Sequence, residues 1–264
     1  MTIIQAIILA IVEGLTEFLP VSSTAHMKFT NPIIGVSSTP FTDMFEIVIQ
    51  LAAILAVVVV YFRKFFDLSR LNFYVKLVVA VIPAIVFGIL LKKHIDSLLG
   101  NLYIISGIMI AGGILFLFVD KWFQNPTVHE ESKVSIGTAF RIGCFQVLSI
   151  LFPGLSRSAA TILGGMSQGL SRTAAAEFSF FLAVPTMLAA SVKSFWDVHK
   201  EHPDALSKDN YMILAVSSLV TFIVSIIVIR YFIGFLKKHG FKVWGYYRIF
   251  IGLVMLILLW RGIV

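Results

Sequence analysis

Between residues 13 and 26 the chain reads EGLTEFLPVSSTAH. Glu13 and Glu17 stand four apart, so on a helix both carboxylates leave from one face. Like charges that close repel unless one takes up a proton or a cation lies between them. Hard carboxylate oxygens favour magnesium or calcium, with water or a phosphorylated substrate completing the ligand shell. Ser22, Ser23 and Thr24 follow, then His26, three residues past Ser23 and able to share its helix face. An imidazole beside a hydroxyl can act as general base for a nucleophile or protonate a leaving group. The other histidines (His94, His129, His199, His202 and His239) fall in loops or at span ends, where a solvated ring is the default.

The opposite charge comes from a second polar stretch, PGLSRSAAT, at residues 153–161. The planar fork of Arg157 matches phosphate oxygens and keeps its proton. A structural ion pair with Glu13 or Glu17 is the plainer alternative. Ser156, Ser158 and Thr161 add hydrogen-bond donors for a bound substrate, as do Glu13, Ser22 and Thr24 on the other side. Taken together, these parts describe phosphoryl transfer: a metal between Glu13 and Glu17, an arginine clamp, helix N-termini and a nucleophile–base pair. The substrate this implies has a phosphate head that enters the cavity and a greasy tail that stays between the spans.

The elements that must position these groups lie in a membrane. The apolar fraction is 58% and the charged fraction 13%, against roughly 25% charged in soluble domains. The mean hydropathy is +0.94. Apolar runs at 44–62, 73–91, 102–119, 174–195, 211–232 and 243–260 each approach the ~20 residues needed to cross a bilayer. The expectation is an all-α polytopic protein, one membrane domain over residues 1–264. A net charge of +7 could suggest nucleic acid, but the basic residues are scattered through short loops and fit lipid headgroups. Cys144 is the only cysteine, so neither an intramolecular disulfide nor a cysteine zinc site can form. The apolar start lacks a basic leader and is interrupted by Glu13 and Glu17, so it is expected to be retained.

Two further apolar stretches are broken. Residues 3–19 stop at Pro20, before a weakly apolar segment ending near Gly35. Residues 135–152 stop at Pro153, before a short run at 159–169. Proline cannot continue a helix, and hydroxyl residues after it suit the cap of a new one. Each stretch therefore reads as a re-entrant hairpin, tolerated at membrane depth where it lines a polar cavity. Laying Pro20 on Pro153 puts Ser23 on Ser156 and Glu13 on Gln146. Downstream, EIVIQLAAILA at 46–56 resembles EFSFFLAVPTMLA at 177–189. Three spans follow each hairpin, so the second half (about 134–264) sits upside down relative to the first (about 1–120) as an inverted-topology repeat.

An outside N-terminus gathers Arg63, Lys64, Arg70, Lys76, Lys121, Lys133, Arg141, Arg230, Lys237, Lys238 and Lys242 on the cytoplasmic side. The outer side then holds fewer: Lys28, Lys92, Lys93, Lys193, Lys200, Lys208 and Arg261. The glutamate-bearing hairpin thus dips in from outside. Gly165 and Gly169 form a small-xxx-small pair that suits either a homodimer or packing within one protomer.

EGLTEFLPVSSTAH and PGLSRSAAT closely resemble the two signature segments of the undecaprenyl pyrophosphate phosphatase family, the bacitracin-resistance proteins. The likeness extends to FEIVIQLAAILAVV and EFSFFLAVP. It implies a bacterial inner-membrane enzyme that removes one phosphate from undecaprenyl pyrophosphate, returning the carrier lipid to peptidoglycan synthesis. It also implies dependence on magnesium or calcium and an active site open to the periplasm. The family's functional residues fall on Glu13, Glu17, Ser22, Ser23, His26 and Arg157. Ala25 departs from the glycine often found before the histidine, and its methyl is expected to restrict that turn.

In one mechanism Ser23 attacks with His26 as its base, while Arg157 steadies the phosphoryl group and the metal spans Glu13 and Glu17. In the other, His26 activates water directly and Ser23 only donates a hydrogen bond. A different class is a secondary transporter or flippase for a phosphorylated lipid or anion, since inverted repeats with broken helices are common there. Phosphohistidine chemistry fits poorly, because no histidine follows PGLSRSAAT until His199.

Overall fold

The computed structural model describes residues 1–67, 71–91 and 98–264. Arg70, Lys92, Lys93 and His94, which entered the loop assignments above, lie outside the described residues. Ten helices longer than a single turn organise the described residues, with no strand among them. The first five are α1 (Ile3–Thr16), α2 (Ser23–Ile33), α3 (Pro40–Val60), α4 (Leu71–Leu90) and α5 (Leu102–Trp122). The others are α6 (Ile136–Leu151), α7 (Arg157–Ser167), α8 (Arg172–Glu201), α9 (Lys208–His239) and α10 (Lys242–Trp260).

Six of these helices (α3, α4, α5, α8, α9 and α10) are long and apolar enough to cross a membrane, in agreement with the six apolar runs. The chain is a multi-pass helical membrane protein. Its outward surface is correspondingly greasy: Ile4, Val78, Leu90, Met212 and Tyr231 are all exposed. Lipid is the solvent in which such a surface costs nothing.

Two spans outrun the apolar stretches that announced them. Helix α8 has 30 residues and α9 has 32, because their polar ends remain good helix. Lys193 pairs with Asp197 one turn on, at 2.5 Å. Lys237, Lys238 and His239 occupy the last turn of α9, where the helix dipole favours cations.

Helices α1 and α6 are shorter, at 14 and 16 residues. At 1.5 Å per residue they reach about 21 and 24 Å, less than the ~30 Å hydrocarbon core. Helix α1 ends at Thr16 rather than running on to Leu19. Pro20 has no N–H to offer the Thr16 carbonyl, and the Thr16 hydroxyl turns back onto the Val12 carbonyl at 2.7 Å. Glu17 therefore sits just past the last turn as the C-cap, its backbone still helical and its N–H donating to the Glu13 carbonyl.

Packing pairs the helices across the two halves. Helix α9 packs on α1, α4 on α6, α5 on α10, and α3 on both α8 and α9. Close approach needs glycine at these contacts. A methyl on Gly14 would lie 2.8 Å from Val224, and one on Gly113 would lie 2.8 Å from the Gly245 carbonyl oxygen. Gly165 packs against Ala175, and Gly169 closes α7 with a φ of +85°, so both act inside the chain.

Candidate active site

The two breaks are built alike. Helix α2 is capped by Ser22, whose hydroxyl accepts from the Ala25 N–H at 3.2 Å. Helix α7 is capped by Ser156, which accepts from the Ala159 N–H at 3.3 Å. These two serines carry φ of +70° and +79°, the only positive values outside glycine among the described residues. A non-glycine residue held there stores backbone strain, which tends to gather at functional sites. The caps correct the overlay made from prolines. Ser22, not Ser23, corresponds to Ser156, because the second break is one residue longer between proline and cap. Ser23 then corresponds to Arg157, the first residue of α7.

Those two first residues converge on one carboxylate. Ser23 Oγ donates to Glu17 Oε2 at 2.5 Å. Arg157 Nη2 donates to Glu17 Oε1 at 2.6 Å. Glu17 is thus held at both oxygens, by Ser23 six positions further on and by Arg157, 140 positions further on in the second break. All three side chains are buried or nearly so, with Glu17 7% exposed. Charged hydrogen bonds screened from water in this way are strong and well oriented. Arg157 Nη1 also reaches the Ser179 carbonyl at 3.5 Å.

His26 is placed differently from the expectation that paired it with Ser23. Its Nδ1 lies 2.7 Å from the Ser22 carbonyl and its Nε2 2.9 Å from the Tyr247 hydroxyl. The Tyr247 ring stacks on it at 5.6 Å. Since a carbonyl only accepts, Nδ1 carries the proton, and in the neutral ring Nε2 accepts from Tyr247. The Ser23 hydroxyl is taken by Glu17, which stands where the histidine was expected.

The remaining hydroxyls hold the breaks together. Ser158 donates to the Leu19 carbonyl at 3.0 Å, joining the second break to the first. Ser156 and Ser158 share a 2.9 Å bond. Thr161 bonds Ser179 at 2.6 Å and fastens α7 to α8. Thr24 is half-buried on α2. Ala25 lies fully buried within α2 rather than in a turn, where alanine is the best helix former, so its methyl restricts nothing.

Glu13 is fully buried, and neither of its oxygens meets a donor among the described residues. An orphaned carboxylate one turn from Glu17 fits a hard divalent cation. No group of three or more acidic, histidine or cysteine side chains gathers among the described residues, so water and substrate oxygens would supply the other ligands.

Two residues were missed. Arg248, in the middle of α10, is fully buried and donates to four carbonyls. These are Pro20 and Leu155 at 3.0 Å, Gly154 at 2.9 Å and Met109 at 3.3 Å. Tyr247 beside it escaped notice too. The signal was present in both cases: an ionisable group inside an apolar span is a site candidate by default.

A helical, multi-pass membrane chain with a carboxylate, a hydroxyl and a guanidinium locked between two broken helices is a membrane protein built to handle charge within the bilayer. Comparison with known proteins makes this specific. Residues 6–254 match the family described as bacitracin resistance protein BacA, and the chain belongs to it. It is 52% identical to the undecaprenyl-diphosphatase of Flavobacterium johnsoniae, over 98% of this chain and 96% of that protein. With the undecaprenyl-diphosphatase of Porphyromonas gingivalis it shares 46% identity, over 100% and 99% of the two chains. With that of Streptococcus thermophilus it shares 41%, over 96% and 92%. The resemblance drawn from the two polar segments is borne out over nearly the whole chain.

Proposed function

We propose that this protein is an undecaprenyl-diphosphatase, hydrolysing undecaprenyl pyrophosphate to undecaprenyl phosphate and inorganic phosphate. The observation that carries the chemistry is the convergence of Ser23 and Arg157 on the two oxygens of Glu17. Ser23 Oγ attacks the terminal phosphorus in line and forms a serine phosphate. Its proton passes to Glu17 Oε2, already 2.5 Å away. The anhydride P–O bond breaks, and undecaprenyl phosphate leaves with the electron pair. Water then hydrolyses the serine phosphate: Nε2 of His26 takes its proton once the Tyr247 hydroxyl gives up that lone pair, and Glu17 returns its proton to the departing Ser23 Oγ. Arg157 orients Glu17 and offers its other N–H groups to the transferring phosphoryl oxygens, assisted by the N-termini of α2 and α7.

A divalent cation, magnesium or calcium, would sit between Glu13 and Glu17 and offset the charge of the diphosphate. The architecture we infer is two re-entrant hairpins, α1–α2 and α6–α7, in an inverted repeat forming one membrane domain. Three features support it: the matching strained caps, the short α1 and α6, and the crossed packing of α9 on α1 and α4 on α6. The glutamates of the repeated downstream stretches also behave alike. Glu46 pairs with Lys28 at 3.0 Å, and Glu177 pairs with Lys64 at 2.7 Å. In this reading the protein lies in the bacterial inner membrane, with the site reached from the periplasm.

Purified protein tests this directly by phosphate release from undecaprenyl pyrophosphate with and without magnesium. Metal-dependent release by wild type, lost in Glu17→Gln, Ser23→Ala and Arg157→Ala, is expected. A phosphoserine trapped at Ser23 supports the covalent route. Substantial turnover by Ser23→Ala would shift the chemistry to water activated by His26. No release from any polyprenyl pyrophosphate would return the reading to transport.

A further inference from the structure

Each break leaves carbonyl groups that no helix can satisfy, and at membrane depth no bulk water replaces the lost partner. Pro20 contributes such a carbonyl in the first break, and Gly154 and Leu155 contribute two in the second. All three accept from the one guanidinium of Arg248. Its Nη1 bridges the breaks, reaching Pro20 and Leu155 at 3.0 Å each, while Nη2 takes Gly154 at 2.9 Å. Nε anchors the fork to the Met109 carbonyl of α5 at 3.3 Å.

No carboxylate pairs with Arg248 among the described residues. Its side chain has no exposed surface. A buried cation without a counter-ion is a costly choice for holding α10 against α5, since apolar packing would do that better. The fork fits another task. One planar group can fix the separation of two loops only if it bonds both at once, as Nη1 does.

We infer that Arg248 is a positioning residue for catalysis. It locks the two breaks at the separation that lets Ser23 and Arg157 meet on Glu17. Its hydrogen bonds go to backbone carbonyls and not to these three side chains, so it acts through the backbone that carries them. The role rests on the phosphatase reading above, while its structural half stands apart from it. Gly112 provides an independent handle: a methyl there would lie 2.5 Å from Arg248 Nη2, shifting the fork without altering its charge.

The test uses full-length protein in nanodiscs, comparing wild type with Arg248→Gln, Arg248→Lys and Gly112→Ala. Phosphate-release kinetics and hydrogen exchange of peptides covering residues 17–23 and 152–158 are both read. In Arg248→Gln, kcat should fall at least 100-fold with KM within threefold, and exchange should quicken in both breaks together. Arg248→Lys keeps the charge but cannot hold both loops in one plane, so kcat should still fall at least 10-fold. Gly112→Ala should change both readouts in the same direction, less strongly. If Arg248→Gln does not fold, the other two variants decide.

Retention of kcat within threefold by both Arg248→Lys and Gly112→Ala overturns the inference. So does a loss of kcat with exchange unchanged in either break. Should wild type release no phosphate, the exchange arm still decides whether Arg248 couples the breaks, and the phosphatase reading alone fails.

Discussion

Glu17 carries two bonds that ask different things of it. Arg157 orients the carboxylate through a 2.6 Å ion pair, while Ser23 offers it a proton. Glu17→Gln keeps the shape and removes the basicity, so kcat should drop by about 10²–10⁴-fold, the usual contribution of a positioned general base. Glu13 has a different part, because its oxygens lack donors among the described residues. Glu13→Gln should raise the magnesium needed for half-maximal phosphate release, and chelation should stop release by wild type. Tyr247 reaches His26 through one hydroxyl at 2.9 Å. Removing it in Tyr247→Phe leaves the ring stack intact and should lower kcat by about 2–10-fold, the worth of one neutral hydrogen bond.

Helices α1 and α6 bring these residues to the middle of the protein because each stops early and hands over to a capped short helix. The caps are also the strained points, at Ser22 and Ser156. Substituting Ser156 separates the two effects. Ser156→Ala loses the bond to Ala159 and keeps the strain, and should cost about 1–2 kcal/mol of stability. Ser156→Gly loses the bond but relieves the backbone and should cost only a few tenths of that (roughly, from cap substitutions). Thermal unfolding of the purified protein orders the two variants. Helix α1 is also fixed by what it touches. Phe18 in its break is fully buried edge-on against Phe180 of α8 at 5.1 Å, so the loop is anchored in the core and not merely left over between helices.

Across the whole molecule, the crossed packing of the halves makes the site a product of both. Neither half contains Glu17, Ser23 and Arg157 together. The orientation proposed above rests on the count of loop charges and is tested by labelling with a membrane-impermeant maleimide. In a Cys144→Ser background, Ser38→Cys at the exposed start of α3 should label in intact cells. Asn125→Cys, exposed after α5, should label only once the membrane is opened. Labelling of Asn125→Cys alone in intact cells would invert the protein and place the glutamate-bearing break on the cytoplasmic side.

Sequence by itself determined the solvent, the six spans and the two interruptions, because each is a local property. Apolar run length reports bilayer thickness, and proline reports a missing N–H. It also singled out the candidate residues, since Glu13, Glu17, His26 and Arg157 are ionisable groups that are costly in lipid, and Ser23 stands among them. Partnership was decided only by the tertiary structure. The three-residue spacing of Ser23 and His26 suggested a pair, yet Ser23 turned to Glu17 and His26 to Tyr247. Spacing along one helix limits what two side chains can reach, but which bond forms depends on groups arriving from elsewhere. Arg248 shows the same limit: its four carbonyl partners come from three distant segments. Only their assembly makes a lone arginine in an apolar helix stable.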